Sequence, residues 1–179
     1  MHFTLLSREK KYRGKIVDLT VDRLRYVSGT ETYREIVEHP GGAVIVPLFD
    51  NNDLLLVKQY RHPFAKDVIE LPAGKLDVGE DPLHCAQREL QEETGYASSD
   101  WNKLTAIYTT PGFCNEVLHL FEARNIHLSE QGQALEEGEA SIQLLRIPLR
   151  DALLMIERQE IVDGKTIVGI LMTARRQNL

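Results

Sequence analysis

Three glutamates, Glu89, Glu92 and Glu93, have spacings that place their side chains on one face of a helix. At about 100° per residue, positions i, i+3 and i+4 fall within one sector of roughly 100°. Like charges at such spacings destabilise a helix by about 0.2–0.5 kcal/mol, so a neutralising partner is expected. A hard divalent cation such as Mg²⁺ or Mn²⁺ takes oxygen ligands and fits this cluster. The alternative is an acidic helix face that is only solvated.

The three carboxylates belong to a strongly acidic segment, residues 74–96. This segment contains six acidic and two basic residues, a balance of −4. The whole chain of 179 residues has 21 Lys and Arg against 27 Asp and Glu, a formal net charge of −6. Proteins that bind nucleic acids depend on basic groups that meet phosphates. The charge therefore argues against a nucleic-acid partner.

The acidic segment contains the signals of a helix that begins at Asp81-Pro82 and ends at Gly95. Asp81 is a favourable N-cap residue, and Pro82 stands in the first turn, where its missing N–H costs nothing. Gly95 suits the position just past the last turn. The helix sector beside the glutamates is apolar and is expected to pack against a core; it holds Leu83, Ala86 and Leu90.

Outside this helix, the chain is predicted to be rich in strands separated by turns. Residues 43–49 and 53–60 are predicted to form a β-hairpin across Asp50-Asn51-Asn52. Amphipathic helices are predicted at 148–158 and 165–176. Further strands are predicted at 3–6, 15–27, 30–37, 68–71, 103–109, 117–123 and 141–147. Because few crossover helices separate the strands, an α+β fold, arranged as an α/β/α sandwich, is favoured over a doubly wound parallel sheet.

The strands of residues 1–38 form a unit that is too small to bury a core alone. This N-terminal β segment is therefore expected to lie against the rest of the chain or against a second subunit. The turn-rich tract His39-Pro40-Gly41-Gly42 marks the predicted boundary with a second domain, residues 39–179.

The cysteines and the apolar runs indicate the compartment. Cys85 and Cys114 cannot build a disulfide framework. The N-terminus becomes charged before an apolar signal core could form, and no apolar run approaches the roughly 18–20 residues of a membrane span. A cytoplasmic protein without a membrane partner is expected.

The acidic segment also carries a longer pattern: Gly74, five residues, Glu80, seven residues, then Arg88-Glu89-Leu90-Gln91-Glu92-Glu93-Thr94-Gly95-Tyr96. It resembles the Nudix box, Gly-x5-Glu-x7-Arg-Glu-U-x-Glu-Glu-x-Gly-U, in which U is a bulky apolar residue. Every fixed position matches, and only Tyr96 stands where an aliphatic residue is commoner. Three further tracts resemble the Nudix subgroup that hydrolyses ADP-ribose and related nucleoside diphosphate sugars: Gln59-Tyr60-Arg61-His62-Pro63, Glu70-Leu71-Pro72-Ala73-Gly74 and Thr110-Pro111-Gly112-Phe113.

The resemblance implies a metal site on the predicted helix. In that family the ion is held by the glutamates that match Glu89 and Glu93, and often by the backbone carbonyl that matches Ala73. Glu92 matches a further ligand or a ligand of a second metal ion, and it is also a candidate catalytic residue. Arg88 is a candidate catalytic residue, since a guanidinium fork can hold a carboxylate in one orientation. Its alternative is an ordinary surface pair with Glu92.

The resemblance implies Mg²⁺-dependent hydrolysis of the diphosphate bond of ADP-ribose, giving AMP and ribose 5-phosphate, with Mn²⁺ as a substitute ion. In the subgroup a loop glutamate well after the box is the general base, and Glu139 matches it best, with Glu137 as the substitute. An acidic solvated loop is the alternative for either residue. The subgroup also implies a homodimer.

Four residues are candidates for contact with the substrate. Arg61 resembles the arginine that contacts the substrate phosphates, and Glu70 could accept from a substrate hydroxyl or support the metal ligands. Pro111 lies 15 residues past Tyr96, the spacing that marks ADP-ribose pyrophosphatases in the family, and Glu116 is expected close to the site. Alternatives are hydrolysis of ADP-glucose or GDP-mannose, or a non-catalytic regulator that binds a nucleotide sugar. The intact glutamate set argues against the regulator.

Overall fold

The computed structural model describes residues 2–135 and 137–179, and for Glu139 it describes the backbone only. The helices of this part of the chain are α1 (Pro82–Thr94), α2 (Leu149–Glu157) and α3 (Gly164–Arg176). Its strands are β1 (Phe3–Arg13), β2 (Asp18–Tyr26), β3 (Glu31–Glu38), β4 (Gly42–Pro47), β5 (Asp53–Arg61), β6 (Lys66–Glu70), β7 (Ala73–Lys75), β8 (Tyr96–Ala97), β9 (Asp100–Tyr108), β10 (Val117–Arg124), β11 (His127–Leu128) and β12 (Gln143–Pro148). In the described residues, none of the helices combines the length and apolar character that crossing a bilayer requires.

The chain divides into two compact units. The N-terminal unit comprises the residues up to Gly41 together with Ile107–Val117. Its sheet is an antiparallel meander in the order β1-β2-β3, and β2 turns Thr20, Asp22 and Leu24 inward at alternate positions. The Arg8 guanidinium binds the buried Asp22 carboxylate through two hydrogen bonds of 2.7 Å each. This ion pair makes burial of the aspartate possible, because a buried charge is costly unless it is paired.

The main unit comprises Gly42–Ala106 and Leu118–Leu179 and is built on a sheet in the order β7-β4-β10-β9. The side chains of β4 are buried on both faces of this sheet. On one face, Ala43 and Ile45 pack in a cluster with Leu90 of α1. On the other face, Val46 contacts α3 at Gly169. Since successive strand residues point to opposite faces, α1 and α3 enclose the sheet from both sides. The predicted α+β sandwich is confirmed.

The predicted hairpin of residues 43–49 and 53–60 is wrong, although both strands exist. β4 pairs with β7 and β10, whereas β5 pairs with β6 and β12 in a separate sheet, so both edges of each strand are already used. A single bridge between Leu48 and Leu54 joins the two segments. The polar turn therefore passes the chain from one sheet to the other.

Candidate active site

Helix α1 has the ends that its sequence predicts. The Asp81 carboxylate accepts hydrogen bonds from the backbone N–H groups of Leu83 at 2.9 Å and of His84 at 3.3 Å. Gly95 adopts a left-handed φ of 73°, and its N–H donates to the Gln91 carbonyl at 2.8 Å. Ala86 and Leu90 are fully buried and Leu83 partly, as the apolar sector predicts. These contacts fix the rotation of the helix and so the direction of its glutamates.

The glutamates of α1 differ sharply in burial. Glu89 and Glu93 are only 8% and 2% exposed, whereas the Glu92 side chain is 33% exposed. Carboxylates are almost never this buried unless charged or polar partners compensate them. Glu89 and Glu93 therefore point into the protein, and the solvated acidic face that was the alternative interpretation applies at most to Glu92.

Arg88 connects the acidic residues of the segment. Its Nε and Nη2 donate to the two carboxylate oxygens of Glu80 at 3.0 and 3.1 Å, and its Nη1 donates to Glu89 at 2.7 Å and to Glu92 at 2.9 Å. The Arg88 guanidinium lowers the pKa of Glu80 to about 2, and the same contacts raise the pKa of Arg88. The pair with Glu92 exists, but it is one part of a fork that orients three carboxylates.

The segment Ala73–Lys75 lies directly against the buried carboxylates. The Ala73 N–H donates to Glu93 Oε2 at 3.0 Å, and the Lys75 carbonyl accepts from Arg88 Nη2 at 3.3 Å. A Cβ atom on Gly74 would lie 1.8 Å from both Cδ and Oε1 of Glu89, far inside van der Waals contact. Glycine is therefore required here so that the Glu89 carboxylate can approach the backbone.

The donor chemistry of this place suits a hard divalent cation. Glu89 and Glu93 are buried carboxylates that meet the β7 backbone near Ala73, so oxygen donors converge there. Within the described residues, no group of three or more His, Cys, Asp or Glu side chains is arranged to hold a metal ion. Mg²⁺ does not need such a cage, because it is usually bound by one or two carboxylates and retains several waters. The residues present fit the ion.

A second set of charged residues lies where β5, β6 and the start of α3 meet. Arg61 donates to the Glu70 carboxylate from Nε at 2.6 Å and from Nη2 at 2.7 Å, and Lys165 donates to the same carboxylate. These side chains line a cavity of about 490 Å³, together with Pro63, Phe64, Lys66, Val68, Val162, Asp163 and Gly164. The hydrogen bonds to Glu70 raise the pKa of Arg61, and the charge of Glu93 adds to this effect. Arg61 and Glu70 are therefore direct partners, and Arg61 lies within electrostatic range of Glu93.

The remaining predicted residues are distributed over other parts of the chain. Pro111 and Glu116 belong to the N-terminal unit, where a Glu116 carboxylate oxygen lies 3.1 Å from His39 Nδ1. Glu137 is exposed in a short 3₁₀ turn, Glu137–Glu139. The Glu139 side chain lies outside what the structure describes. The roles of these residues stay predictions.

Sequence reasoning missed the residues of α3 that meet Glu70. Asp163 caps α3 by accepting from the Thr166 N–H at 3.1 Å, and Lys165 bonds both Asp163 and Glu70. The tract Asp163-Gly164-Lys165-Thr166 contains an N-cap signal, which predicts where a helix starts. It contains no signal for a partner 95 residues away along the chain.

The α/β/α sandwich and the glutamates of α1, two of which the Arg88 guanidinium holds, together define a class of protein. Comparison with known protein families identifies this class. The NUDIX domain family model matches residues 39–167, and the chain belongs to this family. Nudix hydrolases generally use a divalent metal ion.

Curated relatives cover most of the chain. An ADP-ribose pyrophosphatase of Bacillus subtilis (strain 168) is 39% identical over 165 residues, which cover 92% of this chain and 89% of the relative. A methanol dehydrogenase activator of Bacillus methanolicus is 38% identical with the same coverage of both chains. A GDP-mannose pyrophosphatase of Citrobacter koseri (strain ATCC BAA-895 / CDC 4225-83 / SGSC4696) is 33% identical over 145 residues, covering 75% of this chain and 74% of the relative.

A solved structure of an ADP compounds hydrolase has the same fold, with a TM-score of 0.86. It is 20% identical in sequence, and the match covers 99% of this chain and 95% of the other. The match therefore shows a shared fold, and it covers residues of both units.

Proposed function

We propose that this chain is a Nudix diphosphatase that hydrolyses ADP-ribose to AMP and ribose 5-phosphate with Mg²⁺, for which Mn²⁺ can substitute. The observation that carries the proposal is the buried pair of Glu89 and Glu93, which Arg88 and the β7 backbone hold in place. Two carboxylates that lie against one backbone segment offer the oxygen ligands that Mg²⁺ prefers. The 39% identity with an ADP-ribose pyrophosphatase supports the choice of substrate.

The proposed ligands of the ion are the Glu89 and Glu93 carboxylates, Glu92 and the Ala73 carbonyl. When bound, the ion supplies positive charge that activates water and offsets the charge of the phosphoryl oxygens. The chain itself orients these ligands: Arg88 holds Glu89 and Glu92, and the Ala73 N–H holds Glu93. Arg88 is thus proposed to act on the reaction by positioning carboxylates.

The proposed substrate contacts use the cavity beside Glu70. Arg61 is bound to Glu70 through one edge of its guanidinium and lines the cavity, where it is proposed to bind the substrate phosphates. Pro111 and Glu116 are also proposed as substrate contacts. In the reaction, water attacks one phosphorus, the bond from this phosphorus to the bridging oxygen breaks, and the other phosphate leaves.

A general base must take a proton from the attacking water, and Glu139 is proposed for this role. Glu139→Gln is expected to lower kcat by roughly 10²–10⁴ while KM and metal affinity change little, because only proton transfer is lost. Glu137→Gln is the matched control and is expected to have a much smaller effect. Steady-state kinetics at saturating Mg²⁺ measure both. If Glu137→Gln is the damaging change, the assignment within this loop is wrong; if both changes are mild, the base lies elsewhere.

Another nucleotide sugar is the second candidate substrate, which the relative named GDP-mannose pyrophosphatase favours. A regulator that binds a nucleotide sugar without cleaving it is the third candidate, since one relative is named an activator. A panel of ADP-ribose, ADP-glucose and GDP-mannose, with products separated by chromatography, decides among these functions. We expect the highest kcat/KM for ADP-ribose. Tight binding without products would identify the regulator.

We also propose a homodimer that forms through the N-terminal β segment, residues 1–38. β1 is an edge strand of eleven residues whose side chains are mostly exposed, including Phe3, Leu5 and Tyr12. An exposed edge with apolar side chains is a ready template for pairing with another chain. Light scattering at micromolar concentration is expected to give twice the chain mass of 20.4 kDa. A mass of one chain under these conditions would contradict the proposal.

A cytoplasmic location is proposed from the cysteines. Cys85 and Cys114 are both free thiols. Cys85 is a fully buried residue of α1, and burial raises its pKa to about 12, so little of the thiol is ionised at neutral pH. Neither residue requires an oxidising compartment.

A further inference from the structure

Lys165 lines the cavity beside Glu70, and the function proposed above gives it no role. The Glu70 carboxylate is 3% exposed and binds both Arg61 and Lys165. Lys165 Nζ also lies 3.0 Å from Asp163, and its side chain is largely buried. A lysine that is drawn out of water and shared by two carboxylates is held in one place, unlike a surface lysine.

The surroundings of Lys165 are equally fixed. Thr166 Oγ1 accepts a buried hydrogen bond of 2.8 Å from the Leu71 N–H, the residue after Glu70. The Thr166 hydroxyl and N–H both donate to Asp163, at 2.6 and 3.1 Å. The first turn of α3 is therefore bound to Leu71, which follows β6 and lies two residues before the segment Ala73–Lys75 that contacts the α1 glutamates.

The charges of this cluster explain why two cations share Glu70. Burial raises the pKa of Glu70, but Arg61 and Lys165 together outweigh this effect and hold the pKa below its ordinary value. Arg61, Lys165, Glu70 and Asp163 together carry no net charge. Without Lys165, the buried carboxylate would have Arg61 as its one cationic hydrogen-bond partner in the described residues, and the cluster would become negative.

Arg61 keeps part of its guanidinium available. Nε and Nη2 bind Glu70, whereas Nη1 makes no hydrogen bond to any residue that the structure describes. The Arg61 side chain is 39% exposed and lines the cavity. Nη1 can therefore donate to a ligand oxygen while the other edge stays on Glu70.

We propose that Lys165 is a positioning residue: it holds Glu70, and Glu70 fixes the orientation in which Arg61 presents Nη1 to a phosphate oxygen of the substrate. This inference rests on the proposed function for the identity of the ligand, a nucleoside diphosphate sugar. Lys165 itself makes no contact with the reacting atoms. Its loss should therefore weaken substrate binding more than it slows the chemical step.

Lys165→Met tests the inference, because methionine keeps a long chain and removes the charge. We expect KM for ADP-ribose to rise about 10- to 100-fold, the range for losing a hydrogen bond to a charged group, while kcat stays within about threefold. Lys165→Arg should recover most of the loss. Lys58→Met, at a lysine paired with Asp67, is the control and should leave KM unchanged. A fall in kcat with unchanged KM would overturn the inference.

Lys66→Met separates positioning from the general positive potential of the cavity. Lys66 lines the same cavity without bonding Glu70 in the described structure, so its loss should raise KM far less than that of Lys165. Equal effects of the two changes would mean that Lys165 acts only through its charge, and the inference would be wrong. Thermal unfolding of each variant identifies any loss of folded protein.

A measurement that needs no substrate turnover tests the inference independently of the proposed function. The Arg61 Nε–H signal in a ¹⁵N NMR spectrum, assigned by its disappearance in Arg61→Lys, should exchange slowly with water in the unaltered protein. It should exchange at least about tenfold faster in Lys165→Met and slowly again in Lys165→Arg. Unchanged exchange in Lys165→Met would overturn the positioning role. If the unaltered protein cleaves no nucleotide sugar while the exchange changes as expected, the proposed function fails and the Lys165–Glu70–Arg61 coupling stands.

Discussion

Replacing Glu93 by glutamine is expected to lower kcat by about 10²- to 10⁴-fold, several kcal/mol of transition-state stabilisation. Glu93 is almost fully buried and belongs to the proposed ion site. Glutamine has nearly the same shape and keeps an oxygen that can accept the Ala73 N–H, which donates to Glu93 at 3.0 Å. The substitution therefore removes the negative charge and leaves the packing. Steady-state kinetics over a range of Mg²⁺ concentrations should show the loss together with weaker metal activation.

Glu157→Gln is the matched control for this result. Glu157 is an exposed residue at the end of α2, so the same chemical change there should leave kcat unaltered. Circular dichroism should show that both variants are folded. A fully active Glu93→Gln enzyme would mean that the ion is bound elsewhere.

Gly74→Ala is expected to abolish most activity without unfolding the protein. The added methyl group would lie 1.8 Å from the Glu89 carboxyl carbon, so one of the two must move. The atoms in the way are the far end of a flexible side chain, and the Glu89 carboxylate is therefore the group displaced. We expect a fall in kcat of about 10²-fold or more, because the carboxylate leaves the proposed ligand position, and a shift in unfolding temperature of only a few degrees.

A double variant shows whether the methyl group acts through Glu89. Glu89→Gln should itself be strongly impaired, and adding Gly74→Ala to it should cost little more, because both changes affect the same carboxylate. If the fold-loss of kcat in the double variant equals the product of the two single losses, Gly74→Ala damages the site by another route. An active Gly74→Ala enzyme would show that the Glu89 carboxylate need not lie against the β7 backbone.

The local parts of the site could be predicted from the sequence because their causes are local. The cap at Asp81 and the left-handed Gly95 depend on neighbouring backbone groups, and residue spacing determines which side of α1 the glutamates share. The spacing could not determine that Glu92 stays partly exposed while Glu89 and Glu93 are buried. That difference arises from the β7 segment, which packs against one part of the helix face.

Contacts between distant segments could not be predicted. Glu70 and Lys165 are 95 residues apart, and no periodicity connects them. The strands β4 and β5 flank a turn-rich tract that is equally compatible with a hairpin and with a passage between two sheets; the other partners of each strand decide the outcome. β1 continues to Arg13, whereas the sequence predicts a strand that ends at residue 6. The additional residues are mostly polar and pair with β2. They show no alternation of apolar and polar residues from which a strand could be predicted.

The most direct test of the account is one reaction with ADP-ribose, followed first in excess EDTA and then after Mg²⁺ is added in excess over the chelator. AMP and ribose 5-phosphate are quantified in the same samples. The account predicts no products in EDTA and, after addition of Mg²⁺, the two products in equal amounts, since hard oxygen ligands hold the required ion. Full turnover in EDTA, or no product with either Mg²⁺ or Mn²⁺, would contradict it.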